Sequence, residues 1–104
     1  DMGERMAIMR AGLTCDTFLT SSNAITQQGE LFNIDGNGNR VAAIVYGPKY
    51  VVVIAGMNKV TDSLEAAVIR ARTVAAPMNK QRFASQTPCE VTGTCGDCKS
   101  EGCI

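Results

Sequence analysis

The feature that most constrains this chain is the near-continuous apolar run from Tyr50 to Ala55, which leads through a short polar loop into an amphipathic helix. A run without alternation does not suit a strand that faces water on one side. It is expected to be buried on both faces, as in a parallel sheet. Beyond Gly56-Met57-Asn58-Lys59, the residues Leu64, Ala67, Val68, Ala71, Val74, Ala75 and Met78 fall on one face at helical spacing. Asp62, with Glu65 three residues on, suits a capping box. Arg70 and Arg72 suit the negative end of the helix dipole, and Pro77 suits its stop, with Asn79 to Phe83 able to resume a turn. A buried strand feeding such a helix is half of a βαβ unit. The expected fold class is α/β: a largely parallel sheet with flanking helices, residues 50–55 as a central strand, and a helix near 62–76 packed through Leu64, Val68 and Ala71.

The remaining elements arrange themselves around this unit. Met2, Met6, Met9 and Leu13 form one stripe on a short helix that Gly12 ends. Thr17 to Thr20 reads as a strand, and Cys15, read as lying inside an apolar strand, as a core residue. Ala24 to Thr26 and Glu30 to Asp35, separated by Gln27-Gln28-Gly29, read as a hairpin. Asp35-Gly36-Asn37-Gly38-Asn39 is the strongest turn signal in the chain. Val41 to Tyr46 fits a strand or a short helix equally well, and Gly47-Pro48-Lys49 a turn.

Composition narrows the function. Ten acidic and ten basic residues cancel, and no basic stripe is present, so no nucleic-acid partner is expected. No apolar run approaches the roughly 18 residues of a membrane span. Histidine is absent, which removes the commonest general base and a common zinc ligand. The chain opens at Asp1 with no initiator methionine and no signal-peptide pattern, and stops one residue after Cys103. It is read as a cytoplasmic fragment: residues 1–84 an α/β part, residues 85–104 a truncated cysteine-rich segment.

Three segments carry possible chemistry. Cys89, Cys95, Cys98 and Cys103 have the spacing C-x5-C-x2-C-x4-C, and four thiolates are a complete set for zinc or an iron–sulfur cluster. The alternative is free or redox-active thiols in a segment with little apolar content and therefore poorly organised. The loop from Asp35 to Arg40 offers backbone amides around Gly36 and Gly38 for an anion nest, with Arg40 adding a guanidinium fork; a well-made turn with a surface Arg40 is the plainer reading. The loop Gly56 to Lys59 follows a strand's carboxyl end, where ligands of open α/β sheets bind; it is otherwise a solvated connection.

Taken in order, Phe18 to Thr26, Asn33 to Arg40, Ala55 to Lys59, Ala75 to Asn79 and Thr87 to Cys98 resemble the lactate-utilisation (LUD) domain family over nearly the whole chain. The resemblance implies the C-terminal part of a NagB/RpiA/CoA-transferase-like domain, a missing N-terminal portion that shares the pocket, and a place in bacterial lactate oxidation beside iron–sulfur partner subunits. The expected function is binding of a small anionic ligand in L-lactate utilisation, in a homo-oligomer. Arg40 and Lys59 would neutralise it, and Asn23, Asn39 and Asn58 would orient it. Gly36 would bring backbone close, and Asp35 would fix Arg40 or act as a base. The rival readings are a metal or iron–sulfur carrier built on the four cysteines, and an enzyme acting on a sugar phosphate or CoA ester.

Overall fold

A computed structural model describes residues 1–83, 86–98 and 100–103. The chain is mixed α/β. Helix α1 (Met2–Ala11) starts on the Asp1 carboxylate, which accepts from the Gly3 amide at 2.9 Å. Strand β1 (Thr17–Thr20) follows, then β2 (Ala24–Thr26) and β3 (Leu31–Phe32) as an antiparallel hairpin. The ambiguous segment resolves as helix α2 (Asn39–Val45). Strand β4 (Tyr50–Val53), a single 3-10 turn at Met57–Lys59 and β5 (Val60–Thr61) come next. Helix α3 (Leu64–Arg70) runs through a π-helical turn (Ala71–Ala75) into α4 (Ala76–Lys80), and α5 (Pro88–Thr92) lies in the cysteine-rich segment. No helix among the described residues is long and apolar enough to cross a membrane.

The sheet topology makes a gap. β1 pairs with β4 in parallel, and β2 pairs with β5 in parallel. The chain therefore takes the same course twice, β1 to β2 and β4 to β5, and each time a loop interrupts the ladder: residues 21–23 in one, residues 54–59 in the other. The two loops lie side by side, and Lys59 reaches across to donate to Ser21 Oγ at 2.8 Å. Two of the three strand pairings are parallel, so the parallel character holds in part.

Several expectations are corrected. Among the described residues β4 hydrogen-bonds to β1 alone and is not a central strand buried on both faces; Val51 and Val53 turn inward, while Tyr50 (57% exposed), Val52 and Ile54 face out. The apolar run reported hydrophobic content, and content alone does not say that both faces are covered. The α3 cap is Ser63, not Asp62: the Ser63 hydroxyl accepts from the Ala66 amide at 3.1 Å. Leu64 is 48% exposed, and the helix packs through Ala67 and Ala71, both fully buried, with Val68 half-buried. Small side chains let α3 lie close against β2, whose Ala24 is likewise fully buried. Met2 lies outside the packed stripe of α1, with Met6 and Met9 half-buried. Cys15 sits before β1 in the turn, its thiol donating to the Gly12 carbonyl at 3.1 Å.

Pro77 does not stop the helix, so Arg70 and Arg72 lie in mid-helix. Its effect is subtler. Through the π turn, the Ala76 amide donates to the Ala71 carbonyl, five residues back. The next bond in that register would run from residue 77 to the Arg72 carbonyl, and proline has no N–H to give. The Cys95 amide fills the vacancy at 2.8 Å. The cysteine-rich segment is thereby docked rather than loose. Thr87 and Glu90 form a capping box on α5, Glu90 lies 3.8 Å from the buried Lys80 ammonium, and Arg72 pairs with Asp97 at 2.6 Å. The expectation of poor organisation weighed apolar burial alone, and the anchors here are polar.

Candidate functional site

The interrupted ladder opens into a cleft of about 1240 Å³. Asn23, Asp35, Gly36, Asn39, Arg40, Asn58 and Lys59 all line it, together with Ser21 and Ile34. Cys89, Cys95, Cys98 and Cys103 border the same cleft from the side of α4 and α5. Residues far apart in the sequence therefore meet in one place.

One wall is a dense polar network. Asn33 Oδ1 accepts from the Asn23 amide (3.0 Å) and from Ser22 Oγ (3.1 Å), while Asn23 Oδ1 accepts from the Ile34 amide (2.7 Å) and from Arg40 Nη2 (2.8 Å). The two asparagines lace the start of β2 to the chain leaving β3. The single proton of the wholly buried Ser22 hydroxyl is shared with the Ala24 carbonyl, the nearer acceptor at 2.9 Å. Arg40 is then held by Asp35: Nε to Oδ1 at 2.9 Å, and Nη2 to the same oxygen at 2.6 Å. A further bond runs from Nη2 to the Ile34 carbonyl at 3.3 Å. Asp35 Oδ2 accepts from the Val41 amide at 2.7 Å in the first turn of α2. The carboxylate that Arg40 and the start of α2 receive is the loop's own Asp35, and its donors are the Arg40 guanidinium and the Val41 amide rather than the amides around Gly36 and Gly38. With both its oxygens engaged, Asp35 has the geometry of a brace for Arg40, and Arg40 that of a scaffold cation.

The other side differs. Lys59, half-buried, bonds to the neutral Ser21 hydroxyl and has no carboxylate partner among the described residues. Asn58 folds its side chain over Gly56, so closely that a Cβ at that glycine would lie 2.5 Å from Asn58 Oδ1. Asn39 opens α2 and is half-buried at the rim.

The charge of the lining is lopsided in a chain that is neutral overall. Among the described residues six cationic side chains line the cleft (Arg5, Arg40, Lys59, Arg70, Lys80 and Arg82) against two acidic ones, Asp35 and Asp97. Each acid already has an arginine, Arg40 and Arg72 respectively. Clefts lined by one sign of charge concentrate the opposite ion.

The cysteines do not converge. Among the described residues no three Cys, Asp, Glu or His side chains come together as a metal-binding group. Cys89 Sγ lies 3.1 Å from Thr87 Oγ1, Cys95 Sγ is 3.9 Å from Asp97 Oδ1, and Cys98 is exposed. As arranged here the four thiols do not fit a tetrahedral ion or a cluster.

Sequence reasoning missed Ser21, Asn33, Arg70 and the capping box. Ser21 and Asn33 sit inside stretches already singled out, but nothing in a loop's composition says which amide will bridge two strands. Thr87-Pro88-Cys89-Glu90 did carry its signal, a Thr-x-x-Glu spacing with proline in the first turn.

An α/β chain with a cationic cleft at a break in its sheet defines the class. The family follows from comparison: the LUD domain model matches residues 1–103, and the chain belongs to the LUD domain family. Neither a curated protein nor a solved structure gives a significant match.

Proposed function

We propose that this chain serves L-lactate utilisation by holding a small carboxylate anion in the cleft between the Ser21–Asn23 and Gly56–Lys59 loops. The observation that carries the reading is the surplus of cationic lining, with both cleft acids already neutralised inside the protein. Lys59 supplies the free charge, Ser21 and Asn58 supply polar contacts, and the Asn23–Asp35–Arg40 network keeps the opposite wall rigid. Membership of the LUD domain family points to lactate as the first ligand to try. The test is calorimetric titration of the chain with L-lactate at constant ionic strength. Saturable binding that weakens at least tenfold in Lys59→Gln supports the proposal, and equal binding by the variant contradicts it.

The four cysteines at the border of the same cleft favour a second reading, a metal or iron–sulfur carrier, which requires them to rearrange. It predicts stoichiometric zinc or iron in protein purified without oxygen, with the metal lost on Cys95→Ser or Cys98→Ser. Metal content unchanged by those substitutions contradicts it.

A further inference from the structure

We infer that Arg70 forms a second anion-binding pole in this cleft, so that the preferred ligand is a hydroxy acid carrying a second acidic group rather than a simple monocarboxylate. The inference rests on the anion-binding reading above and extends it to substrate class.

Arg70 closes α3 just before the π turn, lines the cleft and is half-buried. Its Nε is buried and has no hydrogen-bond partner. A guanidinium cannot shed its proton to relieve that situation. A buried donor left unmet costs about 1–3 kcal/mol. The two cleft-lining acids among the described residues are already engaged, Asp35 by Arg40 and Asp97 by Arg72, and Glu90 lies beside Lys80. Arg72 has a similarly buried Nε, yet its Nη2 reaches Asp97, and it is not among the cleft-lining residues. Arg70 is thus a partly desolvated cation facing a cavity, with its acceptor missing from the described residues. Lys59, also half-buried and cleft-lining, bonds only to the neutral Ser21 hydroxyl and has no carboxylate partner among the described residues. Two half-buried cations on one cleft of about 1240 Å³ call for a ligand with two anionic ends. The π turn, a feature that concentrates at functional sites, lies directly beside the arginine.

The test uses the full chain and matched acids: L-lactate, its extensions by a second carboxylate (L-malate and 2-hydroxyglutarate), and its extension by a phosphate (3-phosphoglycerate). Affinities are measured by calorimetry at constant ionic strength. At least one extended acid should bind about tenfold more tightly than lactate, the scale of one added charge-assisted pair. Arg70→Met should erase that advantage. The dicarboxylate and phosphate arms show which second group the pole prefers. If lactate binds and no extended acid gains, the Arg70 inference fails and the anion reading stands. If none of the acids binds, both fail. An advantage that persists in Arg70→Met also overturns the inference. The ligand comparison on the unaltered chain carries the test even where the variant does not fold.

Discussion

Removing the Asp35 carboxylate should cost the fold more than a surface charge would. Asp35 and Arg40 side chains are 11% and 21% exposed, so the pair is mostly shielded from water. Asp35→Ala strips Arg40 of its anion and leaves the Val41 amide without an acceptor in the first turn of α2. Breaking a buried pair from one side costs about 3–5 kcal/mol. Arg40 keeps Asn23 Oδ1 and the Ile34 carbonyl, which tempers the loss. About 3 kcal/mol is expected for Asp35→Ala, and about 1–2 kcal/mol for Asp35→Asn, which keeps an acceptor. Arg40→Ala should cost about 2 kcal/mol, since Asp35 retains the Val41 amide. The double variant should fall short of the sum by more than about 1 kcal/mol, because each single change strands the other partner. A chain of this length has about 5–15 kcal/mol of stability in all, so urea midpoints should resolve each effect. Additivity within about 0.5 kcal/mol would refute the brace: the two side chains would then be neighbours without being partners.

Other consequences are equally open to measurement. Gly47 has φ of +134°, and a Cβ there would lie 2.6 Å from the Leu13 carbonyl oxygen; Gly47→Ala should cost at least about 2 kcal/mol in urea unfolding, and a loss below about 0.5 kcal/mol counts against the packing described. Pro77→Ala restores an N–H able to compete for the Arg72 carbonyl, so hydrogen exchange at the Cys95 amide should speed up by at least about tenfold; unchanged protection contradicts the proline-made vacancy. Glu90→Ala removes one half of the α5 capping box and an anion 3.8 Å from the Lys80 ammonium, and limited proteolysis of residues 86–98 should become faster, whereas unchanged cleavage would place the anchor elsewhere.

The legibility of this chain divides by range. Short-range signals served well: the Ala24–Thr26 hairpin, the turn before α2, and the helix beyond Ser63 all follow from local chemistry. The site was legible as a set of turn-rich stretches, Asp35 to Arg40 and Gly56 to Lys59, although Asn39 and Arg40 open helix α2 and Met57–Lys59 form a 3-10 turn. Roles inside it were legible only in part. That Asp35 would fix Arg40 was one of the two roles the sequence left open for it, and the fold selects it, while the neutral serine that Lys59 meets had no sequence signal. Arg70 does close α3, but the π turn carries the helical path on past it and past Pro77, so the path does not end there. A one-residue shift in helical register has no composition of its own. The exposed flank of β4 was illegible for a related reason: Tyr50 to Ala55 has the side chains of a doubly covered strand, and coverage is a property of what packs on it.

The central claim is that the gap between the paired loops binds a carboxylate through Lys59. The most direct measurement follows backbone amide resonances of the full chain as L-lactate is added, with chloride adjusted to hold ionic strength constant. The account predicts saturable shifts concentrated at residues 21–23 and 56–59, with Ala43 and Ala67 unmoved, and their loss in Lys59→Gln at unchanged thermal stability. Shifts that are linear in lactate, scattered over the surface, or identical in Lys59→Gln would contradict it.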